Sequence, residues 1–138
     1  MSWAAYVQNL MDENVQDAAI VGHEAGSESI WASHPGGQFA KITPSEIKAL
    51  MASDRTSMFT AGVTLAGAKC TVLRDNFHID NTMDLRTKAT EQDSNTYNIS
   101  IGKSLKALVF VKGVKDAHGG KLNPKVHKIA EYLRSTNY

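Results

Sequence analysis

Apolar side chains at Trp3, Tyr6, Val7, Leu10 and Met11 repeat at the spacing of one helical face, and Ser2 stands where an N-cap belongs. Residues 18–21 and 29–32 read as short strands around a turn at residues 24–27, and residues 34–37 read as a loop. A second helix starts at Thr43, which can cap it. Pro44 takes the first position and Glu46 completes a capping box. Ile47, Leu50 and Met51 give that helix its apolar side. The period then changes: residues 69–74, 83–88, 96–101 and 105–112 read as strands, separated by Gly67, Asp80-Asn81, residues 93–95 and Gly102-Lys103. These short separations favour antiparallel hairpins, because parallel pairing needs long crossovers. The chain ends in a helix with Asn123 as its cap, Pro124 at its first position, and Val126, Ile129, Ala130 and Leu133 as its stripe. The expected class is α+β, with helices covering an antiparallel sheet.

Alternation sorts the faces of those strands. Met83, Leu85 and Thr87 share one side, with Asp84, Arg86 and Lys88 on the other. Tyr97, Ile99 and Ile101 likewise oppose Thr96, Asn98 and Ser100. One face of such a sheet can stay open to water or to a partner, and Arg74, Arg86 and Lys88 would lie near one another on it.

Composition narrows the class. With 138 residues, 42% hydrophobic and 21% charged, the chain can bury a core as one domain, residues 1–138, and shows no repeat or linker. The longest clean apolar run, residues 107–111, is far too short to span a bilayer. No basic start followed by an apolar stretch marks a secretory signal, and the single cysteine, Cys70, suits a reducing compartment, so a cytoplasmic setting is expected. In that setting the sequon at Asn98 is a chance match.

Charge is unevenly placed. The first forty residues hold five acidic side chains and no Lys or Arg, whereas from residue 101 onward eight Lys or Arg face only Asp116 and Glu131. A basic surface fits an acidic protein, a phospholipid or a nucleic acid, and equally a merely solvated face. Four of the ten aromatic residues lie near the termini, at Trp3, Tyr6, Tyr132 and Tyr138, and Trp31 is the second tryptophan. If the terminal helices pack side by side, these rings would line a groove suited to a polyproline II ligand, whose preformed helix loses little entropy on binding. The same rings could instead simply pin the first helix to the core.

Catalytic chemistry finds little support. Gly62, Gly67 and Lys69 resemble a phosphate-binding loop but carry one residue too many before the lysine, and Gly102-Lys103-Ser104 lacks the upstream glycine. The five histidines are scattered, with no zinc-ligand spacing. Cys70 inside a strand is expected to be an inert thiol, and residues 118–120 read as a tight turn. Neither an enzyme, nor a metal, nor a cofactor is expected.

Residues 2–7 (Ser-Trp-Ala-Ala-Tyr-Val), 17–22, 42–44, 69–75, 83–88, 118–120 and 130–138, taken in order, resemble the profilins, and the animal form most. The resemblance implies an antiparallel sheet with the terminal helices on one face and smaller helices on the other. It implies a non-enzymatic protein that binds monomeric actin, proline-rich segments of actin-assembly factors and phosphoinositide headgroups, and not nucleic acid. Positions matching the family's proline-rich site are Trp3, Tyr6, Trp31, Tyr132, Leu133 and Tyr138, with Tyr132 where the family often has histidine. Positions matching its actin surface are Val72, Arg74, Arg86, Lys88, Thr96, Asn98, His118, Gly119 and Asn123, with Phe59 and Lys125 as neighbours. Pro124, His127 and Lys128 depart from the animal pattern there. The phosphoinositide positions are Lys69, Arg74, Arg86, Lys88 and Arg134, with Ser135 replacing a second basic residue. Because Arg74, Arg86 and Lys88 serve both, lipid and actin are expected to compete.

Overall fold

The computed structural model describes residues 2–138. Helix α1 spans Trp3–Leu10 and is capped by Ser2, whose Oγ accepts from the Ala5 N–H at 3.2 Å. Strands β1 (Val15–Gly22) and β2 (Ser29–Ser33) follow, then a short 3-10 helix, Gln38–Lys41. Helix α2 (Pro44–Leu50) begins with the complete Thr43/Glu46 capping box, and helix α3 spans Ser57–Ala61. Strands β3 (Val63–Leu65), β4 (Ala68–Asn76), β5 (Thr82–Thr87), β6 (Asn98–Lys103) and β7 (Ala107–Gly113) lead into helix α4, Gly119–Ser135. The seven strands form one sheet in the order β2-β1-β7-β6-β5-β4-β3, antiparallel at every pairing.

Two cores sit on opposite faces of this sheet. Ala19, Val21, Leu108 and Phe110 point to the side covered by α2 and α3, where Phe39, Ile47, Leu50, Met83, Leu85 and Ile101 join them. Ala18, Ile20, Ala107, Val109 and Val111 point to the side covered by α1 and α4, against Val7, Leu10, Leu122, Val126 and Leu133. Residues 18–21 and 107–111 are therefore unbroken apolar runs because they form the centre of the sheet, buried on both faces. Gly102 lets α4 settle closely on β6, since a Cβ there would collide with the Val126 carbonyl.

Several elements differ from expectation. Strand β3, helix α3 and the 3-10 turn carry only three to five residues each, too few for a period to show. Helix α4 starts at Gly119 and not at Asn123; Pro124 lies within it and Asn123 is no cap. Residues 118–120 are thus the helix entry, not a tight turn. Neither the His118 side chain nor the two glycines favour a helix start, so tertiary contacts impose it. Leu122 is fully buried, Asn123 bonds Asp84, and Lys125 pairs with Asp12. Ser100, expected on the polar face, is buried beneath α4 and donates to Asp84 Oδ1 at 2.7 Å.

The loop resembling a phosphate cradle is the β3–β4 hairpin, with Ala66 and Gly67 at φ 52° and 81°. Its backbone N–H groups already hold an anion. Ala66 N–H donates to Glu46 Oε1 at 2.9 Å and Gly67 N–H to Oε2 at 3.0 Å, while Thr43 N–H also reaches Oε1. Burial alone would raise the Glu46 pKa, but these donors outweigh it and hold the carboxyl below its ordinary value. A folded-state pKa below the unfolded one adds stability above the unfolded value, and that stability is lost as pH falls through the folded value. Glu46→Gln is therefore expected to lower stability at pH 7 by about 2 kcal/mol. The gap from the parent should narrow below about pH 4, as chemical denaturation across that range would show.

Candidate functional site

The first surface is an aromatic trough where α1, resting on β2, meets the end of α4. Trp3 and Tyr6, one turn apart on α1, have ring centroids 5.6 Å from each other. Trp31 enters because β2 bulges: Ile30 pairs with Val21 and Ala32 with Ile20, leaving Trp31 the extra residue, on the α1 side together with Ala32. Its indole packs on Gly22, where a Cβ would come within 2.7 Å of Nε1. Trp3 then lies 4.6 Å from Trp31 and 5.3 Å from Tyr138, the latter edge-on at 78°. Tyr132 extends the row from α4, 6.1 Å from Tyr6. Burial and the neighbouring Tyr132 hydroxyl raise the Tyr6 pKa above its ordinary value. Five of the six positions expected for the groove thus come together. The sixth, Leu133, is 1% exposed and supports the trough from the core.

The second surface is the outer face of β4, β5 and β6 beside the start of α4, a depression of about 420 Å³. Arg74, Arg86, Asn98, His118, Gly119 and Asn123 all line it, and Thr96 borders an adjoining hollow with Arg86, Asn98 and His118. Arg86 Nε donates to Asn98 Oδ1 at 3.1 Å, and Asn98 Nδ2 to the Ala117 carbonyl at 2.9 Å. Asp84 at the floor accepts from Ser100 and Asn123, and lies 3.9 Å from Arg74 Nε. Arg86 therefore stands on a hydrogen-bonded support, while Arg74 is drawn toward Asp84 only by a longer charge contact.

Four expected members of this surface lie elsewhere. Val72 is 5% exposed and faces the core under α2 and α3. Phe59 is exposed on α3, whose Met58 belongs to that same layer. Lys88 projects past the end of β5, its N–H bonded to the Lys69 carbonyl, and Lys125 is paired with Asp12. Several lining residues were not among the expected members, Leu73 and Asp84 chief among them. Leu73 is turned outward by a bulge, because Val72 pairs with Leu85 and Arg74 with Asp84. The adjacent apolar pair Val72-Leu73, which breaks alternation, was its signal in the sequence.

The cations matched to a phosphoinositide site divide. Lys69, Arg74, Arg86 and Lys88 are all exposed and are spread along the outer side of the β4–β5 pair. Arg134 sits at the Asn81 and Lys103 end of β5 and β6, five residues along β5 from Arg86, or roughly 17 Å at strand spacing. It is spent on structure: Nη2 donates to Asn81 Oδ1 at 2.7 Å and to the Lys103 carbonyl at 3.1 Å, while Nε shares that carbonyl.

An aromatic trough and a guanidinium-bearing sheet face, at different ends of one long helix, define an α+β protein that works through its surfaces. The comparisons agree. The profilin family model matches residues 1–138. The chain is 45% identical to profilin-2 of Rattus norvegicus and 46% identical to profilin-1 of Bos taurus, each alignment covering 99% of this chain and 98% of the relative. Mouse profilin IIa, solved in complex with a double repeat from the FH1 domain of mDia1, superposes over all of both chains with a TM-score of 0.94 at 43% identity. This chain belongs to the profilin family, a family of non-enzymatic binding proteins.

Cys70 fits that assignment. It is buried on β4, and burial pushes its thiol up to about 11 despite the nearby Lys112. At pH 8 the folded protein is expected to show almost no reaction with a thiol-specific disulfide reagent, and one equivalent of thiol after denaturation.

Proposed function

We propose that this chain binds monomeric actin through the β4–β6 face and captures proline-rich segments in the aromatic trough, and so regulates actin polymerisation. It works as a single domain, residues 1–138, in the cytoplasm and at the actin cytoskeleton. The trough carries this reading. Flat, preset rings suit a polyproline II helix, and the phenol and indole tips can bond its unpaired carbonyls. The mouse relative of the same fold was solved holding a repeat from an FH1 domain. The actin role is supported by family membership and by the polar depression, where Arg74, Arg86, Asn98, His118 and Asn123 meet. Biasing actin's own conformational equilibrium needs only differential binding, so no catalytic side chain is required here. Lys69, Arg74, Arg86 and Lys88 form the anionic-lipid site, which overlaps the actin face and makes the two ligands competitors.

A titration of a proline decamer followed by tryptophan fluorescence tests the trough. A saturable change is expected in the parent and its loss in Trp3→Ala; no change at millimolar peptide would refute the proline-rich reading.

Replacing Arg74 and Lys88 together with alanine is expected to weaken binding to phosphoinositide vesicles about thirtyfold, at roughly 1 kcal/mol per cation. The double variant should also lower affinity for actin monomers. Arg134→Ala should leave vesicle binding nearly intact while reducing thermal stability, because that guanidinium is already committed to the fold. Co-sedimentation with vesicles in the presence and absence of actin reads both effects and the competition.

A further inference from the structure

Tyr138 lies beyond α4, yet its ring closes one end of the trough against Trp3 and Trp31. Two devices hold it there. The first is the way α4 ends. Asn137 adopts φ 70°, its N–H bonds the Arg134 carbonyl, and the Tyr138 N–H returns to the Leu133 carbonyl at 2.8 Å. This is a Schellman ending with asparagine in the left-handed position, and it folds the backbone back toward α1. The second is the turn between β6 and β7. Ser104, 1% exposed, donates from Oγ to the main-chain oxygen of Tyr138 at 2.7 Å, and the Lys106 N–H donates to the same oxygen. His23 Nε2 lies 2.9 Å from the Ser104 carbonyl, and Lys106 Nζ stands 5.4 Å from the centre of the Tyr138 ring.

We propose that Ser104 is a positioning residue for proline-rich ligands: its buried hydroxyl fixes the Tyr138 backbone and so presets the ring that closes the trough. This rests on the proline-rich reading of the trough given above. Ser104 touches no ligand itself. Its contribution is preorganisation, since a ring already in place loses no freedom when the ligand arrives. Without the hydroxyl, the Lys106 N–H and the helix ending still hold the residue, but the ring samples positions away from Trp3.

Ser104→Ala is expected to weaken proline-decamer binding about fivefold, the effect of one lost hydrogen bond, with actin-monomer affinity unchanged. In a Tyr138→Ala background the same substitution should change affinity by less than about twofold, because the ring it positions is gone. Ser104 also accepts from the Ala107 N–H, so a second pair of variants leaves the turn intact. Asn137→Gly should retain affinity, while Asn137→Val, which resists positive φ, should lose it. An additive double variant, unchanged affinity in Ser104→Ala, or an equal loss of actin binding would overturn the proposal. Near-UV circular dichroism of the free proteins separates this from failure of the proline-rich reading itself. The Trp–Tyr signal should fall in Ser104→Ala as it does in Tyr138→Ala, and an unaltered signal would refute the positioning role even if the parent binds no decamer.

Discussion

The antiparallel pairing of β1 with β7 is the constraint from which the rest of the molecule follows. Ala19 lies opposite Phe110 and Ile20 opposite Val109, and neither strand has a solvent face. Slipping this register by one residue would exchange the two cores, sending Phe110 toward α4 and Val109 toward α2. Because the two sides need such different volumes, the pairing fixes which helices cover which face. The bulky side takes Phe39, Ile47 and Leu50 from short elements, and the side bearing Ala18 and Ala107 accepts the two terminal helices. Both binding surfaces are built outward from this pair, toward β2 on one flank and toward β6, β5 and β4 on the other.

Each surface depends on a bulge. In regular alternation Trp31 and Ala32 would point to opposite faces, as would Leu73 and Arg74. One unpaired residue in β2 puts both Trp31 and Ala32 on the α1 side, and one in β4 turns both Leu73 and Arg74 outward. The sheet thereby presents an indole to the trough and an apolar-plus-cationic pair to the depression without exposing its core. The supports beneath are polar and fully paired. Asp84 collects Ser100 and Asn123, and Asn98 links Arg86 to the Ala117 carbonyl.

Strong periods and caps were readable from the residues alone. Ser2, the Thr43/Glu46 box, the strand alternation of Met83, Leu85 and Thr87, and the α4 stripe all stand where the sequence places them. What escaped was whatever tertiary contact decides. Pro124 looks like a first helical residue, but its ring is exposed and the helix tolerates the missing donor because Leu122, Asn123 and Lys125 anchor that turn. Val72 and Leu73 cannot be assigned to faces without the bulge between β4 and β5. Arg134 and Lys125 look like free cations in the sequence, and only their partners Asn81, Lys103 and Asp12 reveal that they are structural. The aromatic set was easier to group, because Trp3, Tyr6, Tyr132 and Tyr138 lie on or beside the two terminal helices readable from the sequence, although Trp31 joins them only through the β2 bulge.

Helix α4 ties the two surfaces into one device. Its 17 residues span about 25 Å at helical rise. Its first turn borders the depression, while its last turn carries Tyr132 and leads into Tyr138. Between them, Val126 is clamped over Gly102 and Arg134 is bonded to the β5 and β6 ends, so the helix cannot shift at one end without breaking packing at the other. A rigid spacer of this length holds the two surfaces at a fixed separation. On the proposed function, simultaneous occupancy tethers an actin monomer beside a proline-rich chain without any need for the two sites to change shape. The rate of its next encounter is then set by effective concentration rather than by bulk diffusion.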